Sequence, residues 1–406
     1  MKRLALKFGG TSVGTVEKIK KVANIVKKRH DEGNEIIVIA SAMSGTTDDL
    51  EKKSKLISKN FDTKELDVLL SSGEQVSSSL LSGALIDLGL KARSWMGWQV
   101  PILTDANYTA SQIMKIKTDE VLNFISDLDR GVAVIAGFQG ISINNRITTL
   151  GRGGSDLSAV AIAKFFKTDF CEIYTDVQGV LTTDPSINKN AKKIDKISYE
   201  EMLEMASLGA KVMQPNAVQA SMIDNIPIHV RSAFLEKNGT KIISESEIDD
   251  KKVVTGIAYS KNNAKVSVVG VVDKPGVAAD IFEPIGKNNI NIDMVIQNTS
   301  FDGKKANVTF TIKREDLEKT LSLIEKNKQK INYNKVIHDD RLAKVSIIGA
   351  GMIANPGVTY KMFRSLADEK INILAISTSE IKISVLIKED LTQKAVKILH
   401  KTFKLN

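Results

Sequence analysis

The sequence predicts an α/β chain: a three-layer, mainly parallel sheet covered by helices, followed by two smaller α+β modules. Three observations predict it. Short β-branched runs alternate with amphipathic helical stretches over residues 1–235. Two of those runs, 36–40 and 132–136, are almost wholly apolar, as strands covered on both faces are. The tail after residue 252 repeats itself.

Strands are expected at 4–8, 36–40, 132–136, 170–175 and 227–230. Between the first two, residues 15–32 set Val16, Ile19, Val22, Ala23 and Val26 on one stripe with lysines opposite, and Gly33 follows as a C-terminal stop. Further helices are expected at 155–166 and 200–208. Strand–helix alternation implies parallel strands between helical layers, with ligands at the strands' carboxyl ends. Residues 236–252, rich in Lys, Glu, Ser and Asp, read as a linker.

In the tail, Lys265-Val266-Ser267-Val268-Val269-Gly270, Pro275-Gly276-Val277, Phe282 and Ile290-Asn291-Ile292 recur. The second copy is Lys344-Val345-Ser346-Ile347-Ile348-Gly349, Pro356-Gly357-Val358, Phe363 and Ile371-Asn372-Ile373. The offset is 81 residues from the proline onward and 79 before it, so the second copy carries two extra loop residues. Each copy reads strand, Pro-Gly turn, helix, strand, then a further strand and helix, the order of a ferredoxin-like module.

Composition excludes several classes. The 406 residues are 42% hydrophobic and 26% charged, enough for more than one globular core. Cys171 is the single cysteine, so no disulfide closes within the chain and a reducing cytoplasm is expected. Lys7 interrupts the N-terminal apolar stretch, and no run approaches the roughly 20 residues of a membrane span. The net charge of +9 comes from lysines spread along the chain, and two tryptophans and six tyrosines offer little to stack on bases. Neither nucleic acid nor membrane is an expected partner. No Gly-x-x-x-x-Gly-Lys-Ser/Thr or His-Arg-Asp motif occurs. With four histidines and one cysteine, no protein metal site is expected.

Four loops at strand ends carry candidate chemistry. Lys7-Phe8-Gly9-Gly10-Thr11-Ser12 offers free N–H groups and a cation to a phosphate, although alone it is equally a Gly-Gly turn with a solvated lysine. Ser41-Ala42-Met43-Ser44-Gly45-Thr46-Thr47-Asp48 supplies hydroxyls, or simply a helix cap. Gly151-Arg152-Gly153-Gly154-Ser155-Asp156 opens a helix, where unpaired N–H groups and a planar guanidinium suit a carboxylate, or is simply a capped helix with a surface arginine. Tyr174-Thr175-Asp176-Val177-Gln178-Gly179-Val180-Leu181-Thr182-Thr183-Asp184-Pro185 is dense in acceptors and turn formers. It suits a nucleoside or a structural turn.

These segments, with Ser72-Gly73-Glu74, occur in the order seen in aspartate kinases, and the tail resembles that family's paired ACT domains; the likeness covers essentially the whole chain. The resemblance implies an amino-acid-kinase domain over 1–245, a first ACT domain over 265–340, and a second built from 251–264 and 341–406. It implies ATP-dependent phosphorylation of the aspartate side chain, with Mg²⁺ held mostly by phosphates and water. Lys7 would stabilise the transferring phosphoryl group and Asp156 would organise the catalytic centre. Arg152 would clamp the substrate α-carboxylate and Glu74 would receive its ammonium, with Thr47, Gly153, Gly154 and Ser155 nearby. Phe8, Gly9, Gly10 and Ser41 would face the phosphates. Thr175, Asp176, Val180, Leu181, Thr182, Thr183, Asp184, Pro185 and Lys211 would hold the nucleotide.

Lysine, threonine or both would act at Asp273, Gly276, Val277, Ala278, Asn291, Ile292, Asp293 and Gln297, in a homodimer or larger assembly formed through the ACT domains. Leu181, Ser186 and Gln214 depart from the family's usual Tyr, Arg and His, which bears on nucleotide affinity. The residues themselves agree with this assignment. A substrate with two carboxylates and an ammonium needs a fixed cation and a fixed anion, and Arg152 and Glu74 are one of each. An N-acetylated amino acid would have no ammonium for Glu74. A carboxylate nucleophile is already ionised at pH 7, so no catalytic histidine is required.

Overall fold

The computed structural model describes residues 1–127, 130–210, 212–249, 252–299 and 304–405. Two compact units emerge: Met1–Thr182 with Lys192–Lys251, and Thr183–Ala191 with Lys252–Asn406.

The first unit runs β1 (Arg3–Phe8), α1 (Val16–Asp31), β2 (Glu35–Ala40), α2 (Thr46–Ile57), α3 (Thr63–Asp87), β3 (Ala92–Trp95), β4 (Ile102–Thr104), β5 (Ile113–Ile116), α4 (Asp119–Ile125) and β6 (Val132–Ala136). It continues through β7 (Gln139–Ser142), β8 (Ile147–Thr149), α5 (Gly154–Phe165), β9 (Phe170–Thr175), β10 (Lys196–Ser198), α6 (Tyr199–Ser207), α7 (Pro215–Ile223), β11 (Ile228–Ser232) and β12 (Thr240–Ile243). Eight strands form the main sheet in the order β10-β12-β11-β9-β1-β2-β6-β3, all parallel except at β11–β12. Every residue of β2 and β6 is buried, so both faces are covered. On one face α1 turns in Ile19, Val22, Ala23 and Val26, which join Leu6, Phe8, Val38, Leu81 and Val134 in one core. Thr15 caps α1 through the Lys18 N–H.

Two segments differ from the expectation. The stretch 236–252, read as a linker, contains β12, whose Thr240, Ile242 and Ile243 are buried in the main sheet. Its short apolar alternation is hidden among lysines and glutamates. A second small sheet, β5-β4-β7-β8, lies among residues that show no clear strand period, because its strands hold only three or four residues each.

The second unit holds β13 (Gly256–Val272), α8 (Val277–Gly286), β14 (Ile292–Thr299), β15 (Lys305–Lys313), α9 (Leu317–Lys326), α10 (Lys328–Ile331) and β16 (Lys335–Ile348), then α11 (Val358–Asp368), β17 (Ala375–Thr378), β18 (Lys382–Lys388) and α12 (Thr392–Thr402). Its sheet order is β14-β15-β13-β16-β18-β17. The long strands β13 and β16 serve both halves: Gly256–Ser260 pair with Lys344–Ile348, and Lys265–Val269 pair with Lys335–Asp339. One core gathers Val266, Val268, Ile281, Phe310 and Ile324; another gathers Ile257, Val345, Met362, Val385 and Leu399. Among the described residues no helix is long and apolar enough to cross a membrane.

Candidate active site

The carboxyl ends of β1, β2 and β6 and the start of α5 build one site. Lys7 stands at the end of β1, and its Nζ lies 2.5 Å from Asp156 Oδ1 in the first turn of α5, with 12% and 9% of the two side chains exposed. Asp156 Oδ1 has no directed hydrogen-bond donor, so the contact is carried by charge; Oδ2 accepts a long 3.4 Å bond from the Gln214 N–H. Arg152 precedes the helix, exposed and without an ion pair among the described residues. Lys7 and the Arg152 loop therefore meet at one helix N-terminus, where no side-chain cap competes for an anion.

Gly153 caps α5 with φ +76°, and a Cβ there would fall 2.0 Å from Gln214 Cγ, so both conformation and space demand glycine. Ser155 packs at the end of β6, its Cβ 3.3 Å from where a Cβ on Gly137 would be. Gly154 is buried beside Phe138.

Helix α3 supplies the opposite charge. Its inward face buries Asp67, Ser71, Glu74, Ser77 and Ser78, polar groups where a helix normally turns apolar ones. Gly73 makes the approach possible, since a Cβ there would come 2.8 Å from the Ala42 Cβ. Glu74 Oε1 accepts the Ala42 N–H at 3.0 Å, while Oε2 is buried with no partner. Burial pushes the Glu74 carboxyl up to about 8. Ser77 Oγ donates to the Ser41 carbonyl at 2.7 Å, so the loop after β2 is held twice. Ser41 is buried, and Thr47 lies half-buried in the first turn of α2, which Gly45 caps in the left-handed region.

The other expected nucleotide residues are scattered in character. Gly9 donates its N–H to the Tyr174 carbonyl at 3.2 Å, and Gly10 accepts the Ser44 N–H at the same distance. The Phe8 side chain stacks on Tyr174 in the core, so only its backbone faces the loop. Thr175 Oγ1 donates to Asp176 at 3.0 Å. Val180 is fully buried and its N–H is held by Thr240; Leu181 bridges to Lys193, and Thr182 exchanges bonds with Lys192. Thr183, Asp184 and Pro185 belong to the second unit, where the Tyr259 hydroxyl donates to Asp184 at 2.8 Å and Ile187 enters the core. Lys211 lies outside the described residues.

Among the residues expected to bind an effector, Gly276 caps α8 at φ +94° with no side-chain cap, and Val277 is buried behind the half-buried Ala278. Asn291 and Gln297 are exposed around the edge strand β14, beside the half-buried Ile292. Asp293 already pairs with the buried Lys344, whereas Asp273 forms no ion pair among the described residues. Sequence reasoning missed Asp67, Ser77, Tyr259 and Lys344; Gln214, which stands where the family usually has His, packs on Gly153.

Fold and motif order define a kinase. Residues 2–232 match the model of the amino acid kinase family, and 266–327 and 345–403 match that of the ACT domain. Relatives include an aspartate kinase of Pseudomonas putida, 46% identical over 408 residues and covering 100% of this chain and 98% of that protein. Aspartokinase 2 of Bacillus subtilis is 43% identical over 401 residues, with 98% and 97% covered. Among solved structures, an aspartate kinase of Clostridium acetobutylicum superposes with a TM-score of 0.82 at 25% identity, covering 98% of this chain and 100% of that one. The chain belongs to the aspartate kinases.

Proposed function

We infer that the chain transfers the γ-phosphoryl group of ATP to the side-chain carboxylate of L-aspartate, giving 4-phospho-L-aspartate for lysine, threonine and methionine synthesis, and that lysine, threonine or both inhibit it through the tail. One observation carries the reading: Glu74 Oε2 is a buried carboxylate oxygen with no partner, on the unit whose α5 N-terminus gathers Lys7, Asp156 and Arg152. Ionising a buried carboxyl without a cation is costly, and the ammonium of an amino acid offsets that cost on binding.

In this reading Arg152 takes the α-carboxylate in a two-pronged bond, assisted by Thr47, Ser155 and the α5 N–H groups. Lys7, held by Asp156, faces the transferring phosphoryl group, and the Gly9-Gly10 turn and Ser41 approach the phosphates. Thr175, Asp176, the 180–185 segment and Lys211 hold the nucleoside. Magnesium would be held chiefly by the phosphates of ATP and by water. Magnesium then supplies charge neutralisation on the phosphates. The side-chain carboxylate attacks in line without a general base, so positioning and charge do the catalysis.

The kinase domain comprises residues 1–245. The regulatory modules comprise 265–340 and, together, 251–264 with 341–406; the effector meets Asp273, the Gly276–Ala278 turn, Asn291, Ile292, Asp293 and Gln297. A homodimer or larger assembly through these modules, in the reducing cytoplasm that suits the lone Cys171, completes the proposal. The test is a hydroxylamine trap: with ATP and Mg²⁺, hydroxamate forms from aspartate and not from glutamate. Equal product from both would defeat the substrate assignment. Rates with lysine and threonine, alone and together, identify the effector; no response to either would remove the regulatory part.

A further inference from the structure

Asp67 has no exposed surface and no cation beside it among the described residues. Among the described residues its charge is met by donors of Thr109 and Thr149 alone. The Thr109 N–H reaches both carboxylate oxygens at 3.1 Å, the Thr149 N–H reaches Oδ2 at 3.0 Å, and Thr149 Oγ1 reaches Oδ1 at 2.6 Å. Burial raises the Asp67 carboxyl above the usual carboxylate range, against the pull of these donors. Apolar residues would fill the space at lower cost, so the carboxylate has a local task.

That task is legible in what it holds. Thr109 is β-branched yet sits at φ +68°, a conformation that persists only when its surroundings fix it. The Thr109 carbonyl oxygen lies 3.0 Å from where a Cβ on Gly151 would stand, and the Ser111 N–H donates to the Thr149 carbonyl at 2.9 Å. Thr109 and Thr149 thus brace the turn from which Arg152 projects. Asp67 and Glu74 are seven residues apart on α3, two turns and about 10 Å along one helix face. One rigid helix carries both the anion for an ammonium and the staple for the loop bearing the guanidinium.

We propose that Asp67 is a positioning residue for the amino-acid substrate: by stapling Thr109 and Thr149 to α3 it sets the separation between Arg152 and Glu74. This rests on the reading of Arg152 and Glu74 as the two charge partners of aspartate. Steady-state kinetics of the full chain test it. Asp67→Asn, which puts an amide donor against loop donors, raises the KM for aspartate about tenfold or more, leaving kcat and the KM for ATP within about twofold. Thr149→Val, which removes only the hydroxyl bond, gives a smaller rise of about threefold, and decides the matter if Asp67→Asn does not fold. In an Arg152→Ala background, Asp67→Asn changes the aspartate KM by less than about twofold, because its effect passes through Arg152. Full additivity, a parallel fall in kcat with a changed ATP KM, or no change in aspartate KM would overturn the assignment. If Arg152→Ala alone leaves the aspartate KM untouched, the underlying reading fails and this inference with it. If Arg152→Ala raises it and Asp67→Asn and Thr149→Val do not, only the positioning role falls.

Discussion

The two ends of the site are built on opposite electrostatic plans. At the end proposed to meet the phosphoryl group, Lys7 and Asp156 neutralise each other at 2.5 Å, so the lysine is held in place. At the end proposed to take the amino acid, Glu74 Oε2 is buried without a partner and Arg152 stands exposed. A charge that is fixed and paired costs little to keep and is ready when charge develops in a transition state. A charge that lacks its partner favours the ligand that supplies one. The first end is therefore expected to govern turnover and the second to govern recognition.

The largest expected effect strikes the first end. Lys7→Ala removes the fixed cation and lowers kcat about a thousandfold, while the aspartate KM stays within about threefold. Equal losses in kcat and aspartate affinity would erase the distinction between the ends. Glu74→Gln is the matching test of the second end. It keeps the shape and the Ala42 contact but loses the anion, and raises the aspartate KM about 10- to 100-fold with a smaller change in kcat. A near-normal KM would mean that the ammonium is received elsewhere.

The pH dependence sharpens the same contrast. With its carboxyl pushed up to about 8 by burial, Glu74 is mostly protonated at neutral pH in the free protein. Binding an ammonium requires the carboxylate, so the aspartate KM should fall as pH rises from 6 towards 8, by at most about tenfold per pH unit, and level off above. Glu74→Gln should flatten this slope. Stability moves the other way. Relative to an unfolded carboxyl near 4.5, the raised group binds more protons when folded, so its contribution is complete below that value and is lost as pH climbs through about 8. Thermal melts of free wild-type and Glu74→Gln protein between pH 5 and 9 would show the wild type losing more; parallel curves would contradict the shift.

Much of this site was legible from letters because glycines and charged residues at strand ends are chemically specific. Lys7, Arg152 and Asp156 stand beside turns whose glycines announce them. The polar face of α3 is harder to read. Ser71, Ser77 and Ser78 resemble surface residues until the helix is seen to bury them, and the one available signal is that Asp67 and Glu74 recur at a helical spacing. Phe8 and Val180 are hard to read for another reason. They stand inside loops expected to grip the nucleotide, but their side chains turn into the core, which a motif does not reveal. Lys344 shows the same limit in the second unit. As a strand residue of the repeat it looks interchangeable with Lys265, yet the fold sets it beside Asp293, where the second copy has Leu374 at the corresponding step.

A last test asks whether the two ends are independent. Ser77, on the helix that carries Glu74, donates to the Ser41 carbonyl at 2.7 Å, and Ser41 opens the loop assigned to the phosphates. With the Glu74–Ala42 bond, it is one of two direct ties between α3 and the loop proposed to face the phosphates. Ser77→Ala leaves the Ser41 carbonyl without that donor while Glu74 keeps its grip on Ala42, so the loop is loosened at one point of two. The expected cost is about 1 kcal/mol of stability, the usual worth of a buried neutral hydrogen bond. If the ends act separately, the KM for ATP rises about two- to fivefold and the KM for aspartate does not move. If the aspartate KM rises in step, α3 transmits the disturbance, and the site must be treated as one charge system built around a single helix.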